Sequence, residues 1–155
     1  MNPFAGSRLY GKIGNYLNRP LFRFFPVAPG FALITTIGRR SGLPRRQPVR
    51  AVRLDGRLVI ASIHGDRSDW YRNLVRNPRV LVKLGSRTFS GNARCLLDEA
   101  EREETARAYA EALTFYDWLD YAALYWDVPT RAKIHRAHEA WAQQGLVIID
   151  LDPET

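Results

Sequence analysis

Six strand-like runs separated by turn residues constrain this chain more than any other feature. They fall at residues 31–37, 47–54, 57–63, 79–84, 87–97 and 146–151. Asp55-Gly56 joins the second run to the third, and Gly85-Ser86 joins the fourth to the fifth. Both are two-residue hairpin signals, because each places residues that tolerate positive φ between alternating apolar stretches. Short strands joined this way pair antiparallel. Six of them within 155 residues point to a sheet that closes, fully or in part, on itself. The expected fold class is therefore α+β: a mainly antiparallel β-barrel with peripheral helices, forming a single domain over residues 1–155.

Helical signals lie between and around these runs. Residues 7–18 place Leu9, Ile13, Tyr16 and Leu17 on one face, with Arg8 and Lys12 off it. Pro20 and Pro26 bound the next segment and discourage helix there. Residues 1–26 thus form an N-terminal helix and cap segment. Its Arg, Lys, Phe and Leu pairing also suits peripheral contact with an anionic membrane, though aromatic residues beside a core favour the cap. Ser68 or Asp69 starts a short helix that Asn77-Pro78 ends. A helix is expected over 98–118, with Asp98 at its start and Ala106, Tyr109, Ala110 and Leu113 on one stripe. Another is expected over 129–143, from Pro129 to just before Gly145.

The net charge of +7 is unevenly placed. Residues 1–53 hold ten Arg and Lys and no acid, whereas residues 98–155 hold five against thirteen acids. Four of the arginines crowd one strand-to-strand connection, Gly38-Arg39-Arg40-Ser41-Gly42-Leu43-Pro44-Arg45-Arg46. Glycine lets backbone approach a ligand, and guanidinium forks match phosphate and carboxylate oxygens. With no acid nearby in sequence, these cations repel one another until something anionic is bound. The loop reads as a polyanion site.

Reactive chemistry is otherwise sparse. The chain has no G-x-S-x-G elbow, phosphate-binding P-loop or G-x-G-x-x-G. His135 and His138 stand at i, i+3 without a third ligand of fitting spacing, so no metal is expected and both imidazoles should face solvent. His64 ends a strand, as an acid catalyst or, more simply, as a polar strand-end residue. The single Cys95 excludes an internal disulfide, reads as small core filler and suits a reducing cytoplasm. Apolar runs fall short of the roughly 20 residues of a membrane span, and basic residues interrupt those near the N-terminus, so no signal peptide is expected. An enzyme built this way leaves the reaction to a cofactor.

Thr35-Thr36-Ile37-Gly38-Arg39-Arg40-Ser41-Gly42-Leu43-Pro44-Arg45, then Ala61-Ser62, Trp70-Tyr71-Arg72-Asn73-Leu74 and Asn77-Pro78-Arg79-Val80 resemble the deazaflavin-dependent nitroreductases over about residues 31–97. The resemblance implies a split β-barrel that binds coenzyme F420, an 8-hydroxy-5-deazaflavin with a phosphodiester and an oligoglutamate tail. It further implies hydride transfer to a small-molecule acceptor: a quinone, nitroaromatic or enone. By similarity the coenzyme's phosphate and tail would lie on Arg39, Arg40, Ser41, Gly42 and Arg45. The ring would lie along Arg46, Gln47, Pro48, Val49 and Arg50. Ile60, Ala61, Ser62 and Ile63, with Asp69, Trp70, Tyr71, Arg72 and Asn73, would complete the pocket. Trp118, Tyr121 or Tyr125 would close over the acceptor, and Tyr116, Tyr121 or His64 would supply a proton. Arg50 departs from the founding nitroreductases, which carry an aromatic residue there.

Two alternatives come from the same residues. FMN could replace the deazaflavin in the same barrel. Basic charge with Tyr, Trp and Phe is also the composition of a single-strand nucleic-acid binder, but here the aromatics fall inside apolar runs, so no nucleic-acid partner is expected.

Overall fold

A computed structural model of the protein describes residues 19–153. Six strands, β1 (Phe31–Ile37), β2 (Pro44–Leu54), β3 (Arg57–Ala61), β4 (Arg79–Leu84), β5 (Arg87–Cys95) and β6 (Leu146–Leu151), close into a barrel in the order β1-β2-β3-β6-β5-β4. Every neighbouring pair is antiparallel. Residues 19–24 are helical (α1). They are followed by α2 (Asp69–Arg76), α3 (Glu99–Glu111), α4 (Phe115–Tyr125) and α5 (Arg131–Gln144).

The alternation of each strand sorts its side chains into two layers. Ala32, Ile34, Val49, Ala51, Leu58, Ile60, Val80, Val82, Val147 and Ile149 fill the interior, and Tyr71 and Leu74 of α2 join them. Residues of opposite parity, Val52, Val59, Ala61, Leu146 and Ile148, face outward and are covered by Ala106 and Tyr109 of α3 and Ala142 of α5. Each buried Val, Leu or Ile among them contributes roughly 1.5–3 kcal/mol. The outer face of β1 is covered from the N-terminal side, where Phe22 and Val27 pack on Leu33. The interior is a filled core, which leaves ligands the rim and the outer wall.

One part of the wall leaves the barrel. β1 pairs with β2 over its whole length, but with β4 only from Leu33 to Thr35. β3 pairs with β2 only from Ala51 to Leu54. The tip of the β1–β2 hairpin therefore projects as a two-stranded ribbon. Pro44 and Pro48 sit on this stretch of β2, as residues lacking an N–H do at an unpaired edge.

Several boundaries differ from those expected. β2 starts at Pro44, because pairing with β1 continues to the turn. β3 stops at Ala61: the Ser62 hydroxyl donates to the Gly65 carbonyl at 2.9 Å and turns the chain. The helix expected over 98–118 is two helices. Thr114 and Asp117 form a reciprocal capping box that starts α4 afresh. The proline-bounded segment is helical as far as residue 24, since the locked φ of proline is itself a helical value. The expected helix at 7–18 lies outside the described residues. No helix among the described residues is long and apolar enough to cross a membrane.

Candidate functional site

The ribbon tip is a tight turn whose backbone is bonded to itself. Gly38 N–H donates to the Leu43 carbonyl at 2.9 Å, and Gly42 N–H donates to the Gly38 carbonyl at 2.8 Å. Gly42 adopts φ +68°, which glycine alone enters without cost. A Cβ on Gly38 would lie 2.6 Å from the Ser41 hydroxyl, so a side chain there would displace Ser41 from its bonds to Leu43 and Arg45. Ser41 Oγ accepts from Leu43 N–H at 3.3 Å and from Arg45 Nη2 at 3.4 Å.

Asn73 locks this turn to α2. It is 3 % exposed. Its Oδ1 accepts from the Arg39 backbone N–H at 3.1 Å and from Arg39 Nη1 at 3.2 Å, while its Nδ2 donates to Thr36 Oγ1 at 3.1 Å. Arg39 Nη1 also pairs with Asp69 Oδ1 at 3.0 Å. An acid does therefore reach the arginine loop, from thirty residues away in sequence. Asp69 is exposed, so that pair is weak, and Arg40, Arg45 and Arg46 have no acidic partner among the described residues.

These groups surround a cavity of about 390 Å³. Of the residues expected to hold the coenzyme, Arg39, Arg40, Ser41, Arg45, Arg46 and Gln47 line it from the ribbon, and Asp69, Trp70 and Asn73 line it from α2. Two stretches far apart in sequence thus meet. Gly38 and Arg19 complete the wall. Sequence reasoning passed over Arg19, whose only signal was its place in an acid-free basic segment.

The remaining expected residues lie elsewhere. Val49, Ile60 and Tyr71 belong to the barrel interior and Ala61 to the outer layer. Ser62 is buried in its turn, bonded to Ser68 Oγ at 2.6 Å. Arg72 Nε donates to the Asp66 carbonyl at 2.5 Å. Gly42, Pro48 and Ile63 do not line the cavity. His64 precedes the short 3-10 turn Gly65–Arg67 and belongs to that turn. Tyr116, Trp118, Tyr121 and Tyr125 all lie on α4. There the Tyr121 and Tyr125 rings stack at 4.6 Å and Tyr116 meets Phe31 edge-on at 6.4 Å.

Arg50 is placed away from the cavity. It stands opposite Phe31 of β1, so its side chain leaves the outer face, on the same parity as Val52. Arg50 Nε donates to Asp117 Oδ1 at 2.8 Å and Nη1 to the Tyr109 carbonyl at 3.1 Å, while Nη2 donates to the Ala112 carbonyl. The guanidinium also stacks 4.4 Å over the Tyr109 ring. Both ions of this pair are buried. It fastens α4 to the barrel wall.

His138 packs beside the pair, its Nε2 3.7 Å from Asp117 Oδ1. It is buried, contrary to the solvent-facing position expected, because α5 turns this residue inward with Ile134 and Trp141. Burial, then the Arg50 charge, pushes its pKa down to about 3, and its Nδ1 has no hydrogen-bond partner among the described residues. The folded state thus holds His138 neutral, while the unfolded chain protonates it below about 6.5. Below that pH the unfolded state binds more protons, so stability falls with acidification, approaching about 1.4 kcal/mol per pH unit for this one group. His138→Gln should flatten the stability–pH profile between pH 6.5 and about 3, measured by urea unfolding. An unchanged slope would show that His138 charges freely in the folded protein.

With this geometry in view, comparison with known proteins decides the family. The model of the F420H(2)-dependent quinone reductase family matches residues 8–124. This chain belongs to that family. The quinone reductase match spans the arginine ribbon, α2 and five of the six strands. Solved structures share the fold. An F420-H2 dependent reductase (FDR-A) is 23 % identical with a TM-score of 0.54, over 81 % of this chain and 97 % of that one. A structure described as a domain-swapped dimer is 20 % identical with a TM-score of 0.51, over 88 % and 97 %. A conserved hypothetical protein from Mycobacterium tuberculosis is 15 % identical with a TM-score of 0.52, over 82 % and 75 %. The protein is an oxidoreductase that uses the reduced deazaflavin coenzyme, and the family gives no support to FMN in its place.

Proposed function

We propose that the ribbon and α2 hold the coenzyme at the barrel rim and that the protein reduces an electron-poor acceptor: a quinone, nitroaromatic or enone. The observation that carries this reading is the arginine-lined cavity beside a filled barrel. The donor set fits a polyanion: guanidinium groups from Arg39, Arg40, Arg45 and Arg46 border one space, with the Ser41 hydroxyl among them. Trp70 supplies an apolar wall, half-buried against the core. When bound, the deazaflavin supplies a hydride to the acceptor. The protein's own part is to bind, orient and keep water from the reacting faces.

Phe31 and Tyr116 place aromatic rings between α1 and α4, with Phe22 6.4 Å from Phe31. This row is suited to stacking a planar acceptor, and α4 adds the exposed side chains of Phe115 and Leu119. Tyr116, which meets Phe31 edge-on in that row, is the hydroxyl this reading assigns as proton donor, with Tyr121 and His64 as the other candidates.

Fluorescence titration of the purified protein with the deazaflavin coenzyme, FMN and NADPH tests the reading. Saturable, salt-sensitive binding of the deazaflavin, well ahead of the other two, is expected, followed by turnover on a panel of quinones, nitroaromatics and enones. Tighter binding of FMN, or of random oligonucleotides with no coenzyme affinity, would overturn it. Binding without turnover across the panel would make the protein a carrier. Leu21, Phe24 and Phe25 are exposed beside Arg19 and Arg23, which supports peripheral contact with anionic membrane through α1. Co-sedimentation with anionic vesicles measures that contact, and recovery equal to that on neutral vesicles would refute it.

A further inference from the structure

Helices usually hold to a fold by an apolar stripe, and α4 does not. Of its 11 residues, Asp117 and Leu124 are the buried ones, and none belongs to the three apolar clusters of the described residues. Phe115, Tyr116 and Leu119 stand exposed instead. One guanidinium seats the first turn of α4. Arg50 caps the end of α3 through the Tyr109 and Ala112 carbonyls, and it pairs with Asp117 at the start of α4. A cation at the end of one helix and an anion at the start of the next both suit the helix dipoles. Gly30 marks how closely the same corner is packed. A Cβ there would lie 2.9 Å from the hydroxyl of Thr114, the cap of α4.

Strand register ties this corner to the row of aromatic rings. Phe31 and Arg50 are cross-strand partners, so their side chains leave the same face of the wall side by side. They engage consecutive residues of α4. Phe31 meets the Tyr116 ring at 6.4 Å, and Arg50 meets Asp117 at 2.8 Å. A shift of Asp117 therefore moves Tyr116 off its partner ring. The strand that carries Arg50 also lines the arginine cavity. Arg46, in the cavity wall, and Arg50 share one face of β2, roughly 13 Å apart at about 3.3 Å per residue. One strand thus relates the cavity to the anchor of α4.

We infer that Arg50 and Asp117 are positioning residues for the reduction: together they set α4, and with it Tyr116 against Phe31, at a fixed place relative to the coenzyme cavity. Both are buried and neither lines that cavity, so they act through α4 and touch no acceptor themselves. This rests on the reading of Phe31 and Tyr116 as the acceptor's wall. The pair governs how the acceptor is oriented for hydride transfer and leaves coenzyme binding alone.

The test compares the full-length wild type with R50M/D117L, whose apolar side chains keep the corner filled but lack its directional bonds. Urea unfolding checks that the variant is folded. Fluorescence titration with the deazaflavin coenzyme should give a dissociation constant within about threefold of wild type. Hydrogen exchange read by mass spectrometry should be about tenfold faster or more over residues 115–125, and unchanged in the barrel strands. With duroquinone, a small quinone, as acceptor, kcat should fall by about 10- to 100-fold while KM stays within about threefold, because a misplacement of about an ångström costs that much in rate. Should the double variant not fold, R50K takes its place. Lysine keeps the charge of the pair but cannot serve Asp117 and two carbonyls at once, so the same pattern is expected with a smaller loss. Wild-type kcat, or wild-type exchange over α4, in the folded variant would overturn the inference and leave the pair a structural clamp. Weakened coenzyme binding with kcat intact would also overturn it, by placing the pair on the coenzyme side. A wild type that binds the coenzyme but reduces neither duroquinone nor nitrobenzene would end the acceptor reading itself, and this inference with it.

Discussion

Asp117→Ala should destabilise the protein by about 3–5 kcal/mol, the usual cost of leaving one member of a buried ion pair alone. In a domain of this size that lowers Tm by roughly 6–20 °C. Asp117 does three things at once. It pairs with Arg50 at 2.8 Å, accepts from the Thr114 backbone N–H at 2.6 Å, and faces His138. Burial alone would raise its carboxyl pKa, but the Arg50 hydrogen bond and charge outweigh burial and hold it below the ordinary carboxylate range. Its contribution is therefore present above that range and lost as pH falls through the folded-state pKa. The double variant R50M/D117L should recover much of the loss, because a volume-matched apolar pair removes both charges together. Recovery will be incomplete, since the carbonyls of Tyr109 and Ala112 lose the donor they share with Asp117. Thermal and urea unfolding followed by circular dichroism give both numbers. A loss under about 1 kcal/mol for Asp117→Ala would mean that water reaches the pair.

Arg39→Ala should weaken coenzyme binding by about 10- to 150-fold, the loss of a charge-assisted hydrogen bond worth roughly 1.5–3 kcal/mol. Arg39 is the most firmly placed arginine of the loop. Its backbone N–H and its Nη1 are both held by Asn73, and Nη1 is shared with Asp69. An incoming phosphate competes with Asp69 for that guanidinium. Asp69→Asn should therefore act in the opposite direction, strengthening binding by up to about 5-fold, the size of one exposed ion pair. A deazaflavin fragment without phosphate and tail should bind wild type and Arg39→Ala alike. If the folded Arg39→Ala variant also loses the fragment, Arg39 sits at the ring and the assignment is wrong.

The strands were legible because each is a short run bounded by a turn signal of known chemistry. Asp55-Gly56 does adopt left-handed backbone at both positions, and α2 runs from Asp69 to Arg76, between its expected start and the Asn77-Pro78 stop. The split between α3 and α4 had a visible signal, Thr114 with Asp117 three residues on, but the apolar stripe running through it outweighed the cap. The Arg50–Asp117 pair had no such signal: sixty-seven residues separate its members, and Arg50 reads instead as part of the coenzyme pocket. Burial of His138 depends on how α5 is rotated, which helical periodicity sets only to within a side chain or so. The arginine loop and the Trp70–Asn73 segment were each conspicuous in sequence. What sequence could not convey is that Asn73 joins them by gripping a backbone amide, or that Asp69 tempers the charge of the loop.

The projecting ribbon has a consequence for motion. Beyond Thr35 the hairpin has no β4 beside it, and before Ala51 it has no β3. Its amide protons can therefore meet solvent by fraying of the tip, without the barrel wall coming apart. Asn73 is the latch on that fraying, and Arg45 and Arg46 ride on the segment it releases. Ligand entry and hydrogen exchange at the tip are then one event seen by two clocks. A bound polyanion slows the second clock at the tip and leaves the barrel strands keeping their own time.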